Sequence, residues 1–245
     1  MKVPLWVTEL AHEFWTEAKE VEPFPRDLRG PIGNAVPLSV KLLPSLSVAT
    51  VLHWLSIFEI ECTIQGRDRP LKACLVACQG CGFAFIDAGD SEAERRFSVA
   101  HELAHFLRDY WLPRRKVEQR LGTAALEVLD GTRSPTMEER FDALLRSVPL
   151  GFHVHLLERD REGRPATQRI ADAEECADRL AFELLAPAQD VMRTANNGGQ
   201  ATNKKLVLDL LIETYGLPQT QACQYAEILL PSRRQDRLLL RLRRV

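Results

Sequence analysis

Ser91-Glu92-Ala93-Glu94-Arg95-Arg96-Phe97-Ser98-Val99-Ala100-His101-Glu102-Leu103-Ala104-His105-Phe106-Leu107 is the stretch around which the rest of the chain is read. Ser91, with Glu94 three residues on, has the form of a capping box and opens a helix. Phe97, Ala100, Leu103, Ala104, Leu107 and Trp111 recur at helical spacing and give that helix one apolar face. Pro113 is expected to end it. His101 and His105 are four residues apart, so they lie on one face about 6 Å apart along the axis and both imidazoles can reach one ion. Glu102 projects to the side, placed to take a proton from an attacking water rather than to bind the ion. The alternative is two histidines and a glutamate on a solvated polar face.

A catalytic zinc takes three protein ligands and leaves a fourth position open, so a third ligand must come from elsewhere. Glu174 and Glu175 begin the next amphipathic helix, which is expected to open on a capping box of Asp172 with Glu175 and to run to Pro187. Glu175 can serve that box and pair with Arg179 one turn on. Glu174 shares the inward face with Ala177, Asp178, Ala181 and Leu185, where a carboxylate needs a metal or a charged partner. It is therefore the preferred third ligand. Asp178, one turn along, is placed to accept the ring N–H of a ligating histidine and fix its orientation.

Outward from these helices, residues 1 to 22 predict a helix, and a Pro/Gly-punctuated connection from Pro23 to Pro44 reads as a wrapping segment. Ser47 predicts the cap of a helix running to about Ser56. Strands are expected near 58–65, 71–78 and 81–86, the last two joined by a tight turn at Gln79-Gly80. Helices are expected at about 115–129 and 136–147, then a short strand over 152–158. After a break at Asn196-Asn197-Gly198-Gly199, two closing helices are expected at 203–215 and 219–230. The chain divides into an N-terminal helix and wrapping segment (1–46), a main domain (47–230) with a helical insertion at about 113–150, and a basic tail (231–245).

Of 245 residues, 45% are hydrophobic and 27% charged, which is ordinary globular composition. A net charge of −2 argues against a generic nucleic-acid binder. No apolar run approaches the roughly 20 residues of a membrane span, and Glu9, His12 and Glu13 soon interrupt the opening residues, so no export signal is read. A cytoplasmic protein with no membrane partner and six reduced cysteines is expected.

The segments Arg95 to Leu107 and Glu174-Glu175-Cys176-Ala177-Asp178-Arg179-Leu180-Ala181-Phe182-Glu183-Leu184-Leu185-Ala186-Pro187 resemble the two signature helices of the ImmA/IrrE family of bacterial metallopeptidases. The resemblance covers about residues 47 to 230 and is strongest at those two helices. It departs at Asp178, where the family usually has Asn, at Leu180, where it has Phe, and at Ala186, where it has Met; none of these removes a ligand. The resemblance implies an α+β, gluzincin-like core with a small, mostly antiparallel sheet and additional helices. It further implies one Zn2+ per chain held by His101, His105 and Glu174, with Glu102 as general base. Such enzymes typically cut a helix-turn-helix transcriptional repressor in a stress, mobile-element or phage-defence response. The rival expectations are a degradative peptidase and a non-catalytic regulator, in which zinc only stabilises the fold and the basic tail binds DNA or protein.

Weaker signals remain. Cys78-Gln79-Gly80-Cys81 has the spacing of half a structural zinc site, and either thiol could hold the ion in a latent state; two thiols flanking a turn is the simpler reading. His153 and His155 alternate on one strand face, and with Tyr110 and Tyr215 they are candidate partners for an oxyanion or substrate. The arginine-rich tail from Arg233 to Val245 could bind a nucleic-acid trigger.

Overall fold

The computed structural model describes residues 3–19, 22–64, 67–130, 132–134, 136–137, 153–158, 168–197 and 203–231. Four strands form one mixed sheet in the order β1-β3-β2-β4. These are β1 (Leu38–Leu43), β2 (Leu71–Cys78), β3 (Cys81–Asp87) and β4 (His153–Glu158). β1 runs parallel to β3, whereas β2 is antiparallel to both β3 and β4. Helices precede and separate these strands: α1 (Leu5–Ala18), α2 (Arg29–Ala35), α3 (Val48–Ile57), α4 (Glu92–His105), α5 (Leu112–Leu121) and α6 (Ala124–Leu129). Four more close the described chain: α7 (Gln168–Leu185), α8 (Ala188–Asn197), α9 (Lys204–Glu213) and α10 (Gln219–Leu229). The architecture is α+β, as expected.

Period-two alternation assigns the two sheet faces. Cys74, Val76 and Phe85 turn toward Val48, Val51 and Leu55 of α3. Ala73, Leu75, Ala77, Ala84 and Ile86 join the main core with Leu103, Ala104 and Phe106. Three alanines on that face let the helix lie close. Gly82 carries this furthest: a Cβ there would sit 2.8 Å from Phe106 Cε2 and 2.9 Å from Leu38 Cδ1, so any side chain would force the Phe106 ring and Leu38 to shift. Beneath the sheet α4 packs along α7, with Phe97 and Phe182 ring centroids 5.5 Å apart. Each fully buried Leu or Phe in this layer contributes roughly 1.5–3 kcal/mol.

Several expectations are corrected. The connection from Pro23 to Pro44 contains α2 and β1: Pro31 sits in the first turn of α2, where no N–H is needed, and Pro37 and Pro44 flank β1 rather than interrupt it. The Pro37 carbonyl even accepts from the Gly82 N–H (2.9 Å). No strand forms over 58–64: Ile60, Cys62 and Ile64 pack on the α3-side core without pairing to the four-stranded sheet. Pro113 does not end the helix that carries His101 and His105. α4 passes through a π-helical segment, Phe106–Trp111, directly into α5, and Gly122, at φ 80°, separates α5 from α6. α7 begins at Gln168, so Asp172 is interior and caps nothing, although Glu175 does pair with Arg179 (2.6 Å). α8 falls where no helix was expected.

The Ser47 and Ser91 caps are both closed capping boxes, the former with Thr50 and the latter with Glu94. Gln79 and Gly80, with φ of 48° and 82°, form the expected tight turn of β2–β3. The helix expected at 136–147 lies outside the described residues apart from Thr136 and Met137, and so does the arginine-rich tail. Among the described residues no helix is long and apolar enough to cross a membrane.

Candidate metal centre

His101 and His105 leave α4 on the side facing α7, and Glu174 leaves the first half of α7 toward them. β4 supplies the fourth member. Its register with β2 sets His155 opposite Leu75 and His153 opposite Ala77, which puts both imidazoles on the α4 side of the sheet. One ligand atom from each of His101, His105, His155 and Glu174 can be chosen so that all lie within 4.8 Å of one another. The two α4 histidines are 2% exposed and Glu102 is fully buried.

Both α4 imidazoles are held from behind. His101 Nδ1 lies 3.0 Å from Asp178 Oδ1, and His105 Nδ1 lies 2.8 Å from Asp109 Oδ2. With Nδ1–H donated to a carboxylate, each Nε2 presents its lone pair to the centre. These two buried Nε2 atoms have no hydrogen-bond partner, although His101 Nε2 is 3.3 Å from Glu174 Oε2 and His105 Nε2 is 3.5 Å from Glu174 Oε1. Such separations suit co-ligands better than hydrogen bonds. Two ligands of a tetrahedral ion at about 2.0–2.1 Å are about 3.3–3.4 Å apart. The residues therefore fit a divalent cation held by two imidazoles and a carboxylate.

His155 is bound differently. Its Nε2 is 2.9 Å from Glu174 Oε1 and its Nδ1 2.9 Å from Glu102 Oε2, while its ring stacks on His105 at 3.7 Å. Both distances are those of hydrogen bonds. Burial alone would lower the His155 pKa, but Glu102 and Glu174 outweigh it and push it up to about 10. Its partner responds consistently: burial would raise Glu102, yet His155 and the two α4 histidines hold it below its ordinary value. Glu102 Oε1 is left buried with no partner.

The same balance operates at His101 on α4 and Glu174 on α7. Burial would lower His101, but Asp178 and Glu174 raise it to about 9. Burial would raise Glu174, but His101, His105 and His155 hold it well below the usual carboxylate range. In the metal-free protein the His101 proton stabilises the fold fully below the unfolded value near 6.5, and that contribution is lost as pH rises through about 9. A metal ion competes for the same nitrogen. The rise in melting temperature produced by zinc is therefore expected to be small near pH 6.5 and to grow toward about pH 9. Thermal denaturation with and without zinc across that range checks this, and a shift independent of pH would contradict it.

Of the expected second-tier residues, only His155 enters the group. His153 is partly buried, its pKa lowered to about 4 by desolvation, with Nε2 unpartnered. The Tyr110 hydroxyl accepts the Gly80 N–H at 2.7 Å, and Tyr215 packs edge-on to Phe24. Cys78 and Cys81 flank the β2–β3 turn, with Cys81 Sγ donating to the Cys78 carbonyl at 3.3 Å. Burial pushes the Cys78 thiol up to about 11, so it is a poor thiolate, and neither sulfur belongs to the metal group. Asp109 went unread in the sequence, although it stands four residues after His105, the spacing that brings two helical side chains together. No protein-family model matches the chain, and no curated protein does.

Proposed function

We propose that the chain is a zinc-dependent endopeptidase with a gluzincin-like core, in which His101, His105 and Glu174 hold the ion and Glu102 is the general base. The observation that carries this reading is the pair of buried, unpartnered Nε2 atoms facing Glu174 at co-ligand distances, with Glu102 beside them. Two imidazoles and one carboxylate would also suit Fe(II); the glutamate directly after His101 on the same helix favours hydrolytic zinc. When bound, zinc would polarise the scissile carbonyl and acidify the attacking water. Glu102 Oε1, free of other partners, accepts that water's proton and passes it to the departing amine. His155 Nδ1 fixes Glu102 Oε2 and so aims the opposite oxygen.

The motif resemblance to ImmA/IrrE peptidases makes a helix-turn-helix repressor the preferred substrate. Zinc-loaded protein incubated with the repressor encoded nearest to its gene is expected to give one defined cut, abolished by a zinc chelator and restored by added zinc. Cleavage of unrelated unfolded proteins instead would indicate a degradative peptidase, and no cleavage of either would contradict the enzyme reading. A second reading has one observation in its favour. His155 fills the remaining side of the group, and four protein donors around zinc make a structural site; the protein would then be a zinc-stabilised regulator.

A further inference from the structure

We propose that Arg108 is a positioning residue of the metal centre, a strut that sets His105 and Glu174 relative to each other; the inference rests on the metal-site reading above. Arg108 lies in the π-helical segment Phe106–Trp111. Its Nε donates to Asp109 Oδ1 (2.6 Å), and the other oxygen of that carboxylate, Oδ2, is the one that holds His105 Nδ1. Its Nη1 donates to the backbone carbonyl of Ala173 (3.0 Å), the residue before Glu174. One guanidinium thus grips the carboxylate that orients a ligand on α4 and the backbone that presents the ligand on α7. Burial would raise Asp109, but His105 and Arg108 keep it ionised.

The local backbone explains how this contact arises. Neighbouring side chains on a regular α-helix do not face each other, yet Arg108 and Asp109 meet. Pro113, in the interior of the continuous α4–α5 run, would press its ring against the carbonyl of Asp109 in a regular helix and offers no N–H to it. The wider π turn relieves that clash, and such turns are frequent at functional sites. Pro113, read from sequence as a stop, is on this account the cause of the turn that brings Arg108 onto Asp109. On the α7 side Asp178, which holds His101, has a different support: its other oxygen, Oδ2, accepts from Gln224 Nε2 (3.2 Å).

The test is a zinc competition titration against a chromophoric chelator on wild type, Arg108→Met, Arg108→Lys, Asp109→Asn and the Arg108→Met/Asp109→Asn double variant. Visible spectra of the cobalt-substituted forms accompany it. Arg108→Met and Asp109→Asn are each expected to weaken zinc about 10- to 100-fold. The double variant should be little weaker than the worse single, because both remove one strut. Arg108→Lys, which keeps the charge but cannot reach both oxygens, should fall between, with a cobalt spectrum altered in intensity while the fold is retained. Wild-type zinc affinity in both Arg108 variants, or independent and multiplying losses in the double variant, would overturn the proposal. If wild type itself takes up no zinc or cobalt, the underlying metal-site reading fails instead.

Discussion

Glu102→Gln is expected to lower peptide cleavage by about 10²- to 10⁴-fold while leaving zinc bound. The substitution is nearly isosteric at a side chain with no exposed surface. Its side-chain carbonyl can still accept from His155 Nδ1, the contact that Glu102 Oε2 makes at 2.9 Å. What it cannot do is accept a proton on the second oxygen, the atom that has no other partner. Rates on the identified substrate, paired with zinc content, check this. A regulator built around a structural zinc predicts the opposite, with Glu102→Gln silent. Retained cleavage in the zinc-loaded variant would remove Glu102 from the mechanism.

Glu174→Ala is expected to be the most damaging change to metal affinity. A zinc site worth roughly 10–16 kcal/mol across three or four ligands assigns about 2.5–5 kcal/mol to each, or on the order of 10²- to 10⁴-fold in affinity. Glu174 carries more than an average share, because it is the sole carboxylate among the candidate ligand atoms and the acceptor that His155 faces. Glu175→Ala, whose carboxylate pairs with Arg179 instead, should leave affinity unchanged. Competition titration of the two variants side by side separates them. Equal loss in both would mean that α7 is being perturbed generally and that Glu174 is not a ligand.

What could be read in the chain without its fold, and what could not, divides along a physical line. His101, Glu102, His105, Glu174 and Asp178 sit on two helices whose periodicity is local, so their faces followed from spacing alone. His155 was visible only as one of two histidines on a strand face. Which of them meets the ion is decided by the pairing of β4 with β2 and by the approach of α4, neither of which leaves a local trace. β1 was hidden by the prolines at its two ends, and residues 58–64 had strand-like composition but use their apolar side chains to cover the α3-side core without joining the sheet. Arg108 was the least legible: its two contacts need a π turn and a neighbouring helix.

The most direct test of the central claim is the metal content of the purified wild-type protein by elemental analysis. One zinc per chain is predicted. Protein that carries no metal, and takes up none when zinc is supplied, would contradict the metal centre and with it the peptidase.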